Sequence, residues 1–270
     1  MRILLTLLVL IFVVTFPAPI WAQETESSSP ITEEQLQRGD AIAEKAFQAL
    51  KDGNFAKSET YWGELIELFP QNPAVWSNRG NVRLSQNKIQ DAIADYNQAI
   101  AIAPDQPDPY LNRGIAYEVQ QDWESAIADY NQVLELDPED AMAYNNRGNA
   151  KVGKGNYEAA INDYEKAASL EPDFAIAHSN AALNHYQVGD EKQALDETRQ
   201  LVRKYPNFPD VRAALTAMLW AQGKEGEAES NWVAVKESDS RYRDIEWLKK
   251  VRRWPPQMVE ALDNFLQLNN

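Results

Sequence analysis

A spacing of 34 residues recurs along most of this chain and limits what it can fold into. Trp76-Ser77-Asn78-Arg79-Gly80 returns as Tyr110-Leu111-Asn112-Arg113-Gly114 and again as Tyr144-Asn145-Asn146-Arg147-Gly148, and Pro70, Pro104, Pro138, Pro172 and Pro206 keep the same step. A unit of that length cannot enclose a core alone, so it buries its apolar side against the next copy. The period predicts stacked helix pairs, each ended by a proline that lacks the N–H a continuing helix needs.

Within a unit the small residues explain how two helices fit. Gly80, Gly114, Gly148 and Ala182 let the first helix approach the second, where Ala92, Ala126, Ala160 and Ala194 remove opposing bulk, and aromatics fill the gap to the next copy. Gly53, Gly155, Gly189 and Gly223 fall at the turn within a unit, where positive φ is expected; Asn87 tolerates that conformation and Gln121 does so less comfortably.

The order of aromatic, small residue, alanine, aromatic, small residue and proline resembles the tetratricopeptide repeat family. It reads Trp76, Gly80, Ala92, Tyr96, Ala99, Pro104; then Tyr110, Gly114, Ala126, Tyr130, Val133, Pro138; then Tyr144, Gly148, Ala160, Tyr164, Ala167, Pro172. The resemblance implies an all-α, right-handed superhelical solenoid of about six helix hairpins. Phasing from the proline step gives a solenoid over 32–242, with repeats at about 39–72, 73–106, 107–140, 141–174, 175–208 and 209–242. The first has Ile42 in place of the early aromatic. The fifth has Thr198 for the second aromatic, and the sixth has Ser240 for the proline, the divergence expected of terminal repeats.

The flanks are of a different kind. Arg2, the apolar run Ile3 to Val14 and Pro17-Ala18-Pro19-Ile20-Trp21-Ala22 read as a secretory signal peptide over 1–22, cleaved near Ala22. The apolar run is short for a bilayer span of about 20 residues. Residues 23–31 read as a flexible acidic leader, and Thr32-Glu33-Glu34-Gln35 as a capping box opening a helix to about Lys51. Arg241 to Arg253 reads as one helix with Tyr242, Ile245, Trp247, Leu248 and Val251 on its apolar side. Trp254-Pro255-Pro256 ends it, and Met258, Leu262, Phe265 and Leu266 mark a last amphipathic helix, so 243–270 is expected to cap the final repeat.

Charge and composition narrow the functions. A net charge of −15 argues against nucleic acid and against an anionic membrane surface, and the absence of cysteine removes thiolate chemistry and disulfides. With only His178 and His185, a multi-histidine metal site is excluded; His178 reads as a core substitute for an aromatic and His185 as a surface residue. No nucleophile motif, phosphate loop or dinucleotide fingerprint occurs. Glu139 and Asp140 read as helix N-terminal acids. The chain is therefore expected to be no enzyme, with no cofactor, no metal and no small-molecule substrate.

The expected binding groups lie on the first helix of each repeat, which in this family lines the concave face. Asn78, Asn112, Asn146 and Asn180 recur at 34-residue spacing, with Asn81 and Asn149 one turn further along. A side-chain amide can donate to a backbone C=O and accept from an N–H, so such a ladder suits an extended peptide. It is similar to the ladder of the O-linked N-acetylglucosamine transferases, a resemblance that implies the same use. The alternative is that each Asn bonds within its own groove and fixes packing. Ala74, Asp108 and Met142 stand where the carboxylate clamp of chaperone-tail binders would need lysine, so that use is disfavoured. Arg79, Arg113 and Arg147 each precede an acid by sixteen residues, Asp95, Asp129 and Asp163, and are expected to pair with it across the hairpin.

These readings converge on a non-catalytic scaffold that holds a protein or peptide segment in the periplasm or the thylakoid lumen. The Trp254-Pro255-Pro256 tail resembles that of lumenal repeat proteins of cyanobacteria and chloroplasts. The alternative is a spacer tethered by an uncleaved signal, the one case in which membrane contact is expected, docking a partner at Lys249, Lys250, Arg252 and Arg253.

Overall fold

A computed structural model describes residues 31–268. The proposed signal peptide and nearly all of the acidic leader lie outside them. The order is α1 Glu33–Lys51, α2 Phe55–Leu68, α3 Pro73–Ser85, α4 Ile89–Ile102, α5 Pro107–Val119, α6 Trp123–Leu136 and α7 Ala141–Gly153. It continues with α8 Tyr157–Leu170, α9 Ala175–Gln187, α10 Glu191–Lys204, α11 Pro209–Ala221, α12 Glu225–Ser238, α13 Ile245–Trp247 and α14 Pro256–Leu268. Among the described residues there is no strand, and no helix is long and apolar enough to cross a membrane. The chain divides between Asp122 and Trp123 into two compact units. Within each, neighbouring helices pack in chain order, as in a solenoid of tetratricopeptide hairpins.

Local chemistry sets the helix ends. Thr32 accepts from the Gln35 backbone N–H while the Gln35 side chain accepts from the Thr32 N–H, closing the expected capping box. Asn72 caps α3 through Ala74, and Asp140 caps α7 through Ala143. The turns at Gly53, Asn87, Gln121, Gly155, Gly189 and Gly223 all take positive φ, so position in the period imposes the conformation even on Gln121 at 62°.

The first unit holds two small cores. One gathers Ile42, Trp62, Leu65, Phe69 and Val75, and the other Ala92, Ile93, Tyr96 and Ala116. The close approach at Gly80 has a different partner from the expected alanine: an added Cβ would stand 2.6 Å from the Tyr96 ring, and Gly148 meets Tyr164 in the same way. Each glycine is thus the seat of the buried aromatic of its own hairpin.

The second unit ends in the largest core, which runs from Leu183 through Met218 and Trp232 to Phe265 and Leu266. Helix α14 packs on α11 and α9, with Phe265 edge-on to Trp220 at 5.3 Å and to Trp232 at 5.5 Å.

The segment before α14 departs from the single helix expected over Arg241 to Arg253. It is a 3-10 turn over Ser240–Arg243, one α turn in α13, a π turn over Leu248–Arg252, and a left-handed Arg253 at φ 57°. The reason lies in its inward residues. At about 100° per residue, an α-helix would set Leu248 and Trp254 roughly 240° and 120° around from Tyr242, yet all three are buried. A mixed path, closed by the Trp254 N–H on the Leu248 carbonyl at 3.0 Å, turns them to one side.

Candidate protein-interaction face

The first helices carry two kinds of polar side chain, and burial separates them. Asp95 is 2 % exposed and Asp163 4 % exposed, so each must be paired to remain charged. Arg79 donates to Asp95 from Nε at 3.0 Å and from Nη2 at 2.7 Å, and Arg83 adds a contact at 2.9 Å. Arg147 repeats the fork on Asp163 at 2.9 and 2.7 Å, with Lys151 at 2.6 Å. The hydrogen bond to Asp163 raises the Arg147 pKa against the opposing effect of burial. The hairpin pairing expected from the sixteen-residue step is therefore present at both sites. The Arg113 guanidinium lies over the Tyr110 ring at 5.6 Å and donates to Asn97.

Glu59 of α2 accepts from Arg83, Gln86 and Lys88 across to the next hairpin. Burial alone would raise its pKa, but Lys88, Arg83 and Gln86 together hold it at about 2.

The aromatics that open the second and third repeats have a polar duty as well as a packing one. Trp76 donates to the Pro70 carbonyl at 2.9 Å and Tyr110 to that of Pro104 at 3.2 Å. His178 stands 3.0 Å from the Pro172 carbonyl, and Arg212 donates to that of Pro206. His178 thus keeps the hydrogen bond of the aromatic it replaces. His185, expected at the surface, is 7 % exposed and lies against Glu165 and Gln193. Helix α9 is packed by α8, α10 and α14, so little of it faces water.

The asparagines divide. The side chains of Asn78 and Asn112 are half-buried and make no hydrogen bond among the described residues. Asn146 is half-buried and accepts from Asn145 at 3.2 Å. By contrast Asn81 accepts from the Tyr96 hydroxyl at 2.8 Å and Asn149 from that of Tyr164 at 2.9 Å. In these two the packing role weighed in the sequence is realised. Asn180 is 3 % exposed; it donates to Asn145 and Asn149, and its carbonyl oxygen accepts from Arg252.

Arg252 is the principal correction. Its guanidinium forks onto Asp210 at 2.7 Å from Nε and 2.6 Å from Nη2, which removes it from the basic surface expected with Lys249, Lys250 and Arg253. Asp210 is fully buried and also accepts from Ser179, Tyr242 and Trp254. Burial alone would raise its pKa, yet the Arg252 charge and the hydrogen bonds keep it below the usual carboxylate range. Lys249 and Lys250 are exposed and pair with Glu246, while the Arg253 guanidinium lies over the Trp123 ring at 5.4 Å. Nothing in the sequence singled out Asp210. It follows a proline at the start of α11, as Asp108 does in α5, and both look like N-terminal acids.

Models described as TPR repeat and tetratricopeptide repeat match residues 80–121, 113–183 and 151–218, a continuous span from 80 to 218. No curated protein matches the chain. Among solved structures, a tetratricopeptide repeat protein from Parabacteroides merdae is 19 % identical, with a TM-score of 0.66 over 86 % of this chain and 98 % of its own. MamA is 20 % identical, with a TM-score of 0.55 over 59 % of this chain and 93 % of its own. YrrB, described as a TPR protein with an unusual peptide-binding site, is 16 % identical, with a TM-score of 0.53 over 66 % and 92 %. At these identities the likeness is one of fold. Repeat period, hairpin packing and matching models agree that the chain belongs to the tetratricopeptide repeat family.

Proposed function

We propose that the protein is a non-catalytic scaffold that holds an extended segment of a partner protein against its first helices, in the periplasm or thylakoid lumen after removal of the signal peptide. The observation that carries this reading is the division of the asparagines. Asn78, Asn112 and Asn146 keep amide groups at the surface in register with the repeat, whereas their neighbours Asn81 and Asn149 are taken up by tyrosines. Asn78 and Asn112 have donor and acceptor to spare, and Asn146, whose oxygen accepts from Asn145, keeps its N–H donors, a set that suits a peptide backbone. Each such bond contributes about 0.5–1.5 kcal/mol, so capture needs several rungs together. The fold is one used for holding protein segments.

The test replaces Asn112 and Asn146 by alanine together. Loss of partner capture with unchanged helicity and melting temperature is expected. Capture that survives this change but fails when Lys249 and Lys250 are replaced would move the docking site to the tail and favour a tether.

A further inference from the structure

The tail between α12 and α14 occupies the same face. Its Arg252 Nη2 lies 2.8 Å from the Asn180 carbonyl oxygen, the position that follows Asn146 in the ladder, and three of its side chains, Tyr242, Arg252 and Trp254, converge on Asp210. Receptor groups come from α9 and α11, and Asn180 links them to Asn145 on α7. The chain thus shows a side chain seated in the row that the proposed function assigns to a partner. We propose that the segment 240–255 is a built-in occupant of the face formed by α7, α9 and α11, and that an arginine-bearing segment of a partner takes its place there.

Four features favour exchange over a fixed plug. The receptor is a lone buried carboxylate with amide and hydroxyl groups beside it, a set that matches a guanidinium fork and gives a lysine or an apolar side chain less. The occupant is held in a 3-10 turn, a π turn and a left-handed non-glycine residue, each less favourable than continued α-helix. A buried ion pair returns little net stability over its desolvation, so an equivalent guanidinium from outside can replace that of Arg252 at small electrostatic cost. The excess of acid on the chain, a net −15, draws a basic segment toward it.

This rests on the first-helix face being the binding face, and its test is separate. The probe is a synthetic peptide of residues 240–256, offered to the full chain and to its Arg252→Gln variant. In the native chain the tethered tail competes at high effective concentration, so the variant is expected to bind the peptide at least tenfold more tightly. The same peptide carrying Arg252→Gln is expected to bind neither. Should the variant not fold, Tyr242→Phe removes one donor with shape kept, and it is expected to speed amide exchange across 240–255 and raise peptide binding severalfold. A folded variant that binds the peptide no better than the native chain, or binds both peptides alike, overturns the proposal. Peptide binding gained by Arg252→Gln beside partner capture unaffected at Asn112 and Asn146 would uphold this site while refuting the wider ladder.

Discussion

The hairpin α7–α8 and the closing tail each contain an Arg–Asp fork, and they use it differently. Arg147 and Asp163 are sixteen residues apart and join two helices of one hairpin, with Lys151 as a second cation on the same carboxylate. Arg252 and Asp210 are 42 residues apart and join the irregular tail to α11, with Arg252 the cation in direct contact with Asp210. The first pair stitches a repeat that packing already defines. The second determines where a segment without repeat register comes to rest.

Removing the cations separates the two. Arg252→Ala leaves Asp210 buried and unpaired, and is expected to cost about 3–5 kcal/mol in urea unfolding, with amide exchange rising first across 240–255. Arg147→Ala leaves Lys151 on Asp163 and is expected to cost about 1–3 kcal/mol. Equal losses would mean that the tail is no more dependent on its pair than a hairpin is.

Packing offers a comparison free of charge. Gly80→Ala drives a Cβ into the Tyr96 ring and is expected to lower stability by about 1–3 kcal/mol. Gly63→Ala, where an added Cβ meets nothing within 4 Å, should be neutral or slightly stabilising in the same melting experiment.

Acid sharpens the comparison further. The folded pKa of Glu59 is about 2 against an ordinary 4.5, so its contribution is present above pH 4.5 and is lost as pH falls toward 2. Glu59→Gln is therefore expected to flatten the acid limb of the stability curve between those values. The smallest effect belongs to Lys249 and Lys250, whose pairs with Glu246 are exposed. Their replacement by alanine should leave the melting temperature unchanged.

The helical hairpins were legible because every special position recurs. Even Gln121, a poor residue for positive φ, takes the turn that Gly155 takes one period later. The tail was not legible for the opposite reason. Tyr242, Leu248, Arg252 and Trp254 follow no repeat, and their inward side is set by Asp210, which looks like any acid after a helix-opening proline. At the candidate site the register located the asparagines, while the partners that divide them, Tyr96, Tyr164 and Arg252, depend on three-dimensional contacts.

The most direct test of the central claim is site-specific photocrosslinking on the native extract, with the reactive group at Asn146 on α7 or at the exposed Asn162 on α8. One partner segment, mapped by mass spectrometry, is expected to crosslink from position 146 and to be absent from position 162. Equal labelling from both positions, or none from 146, would contradict that claim.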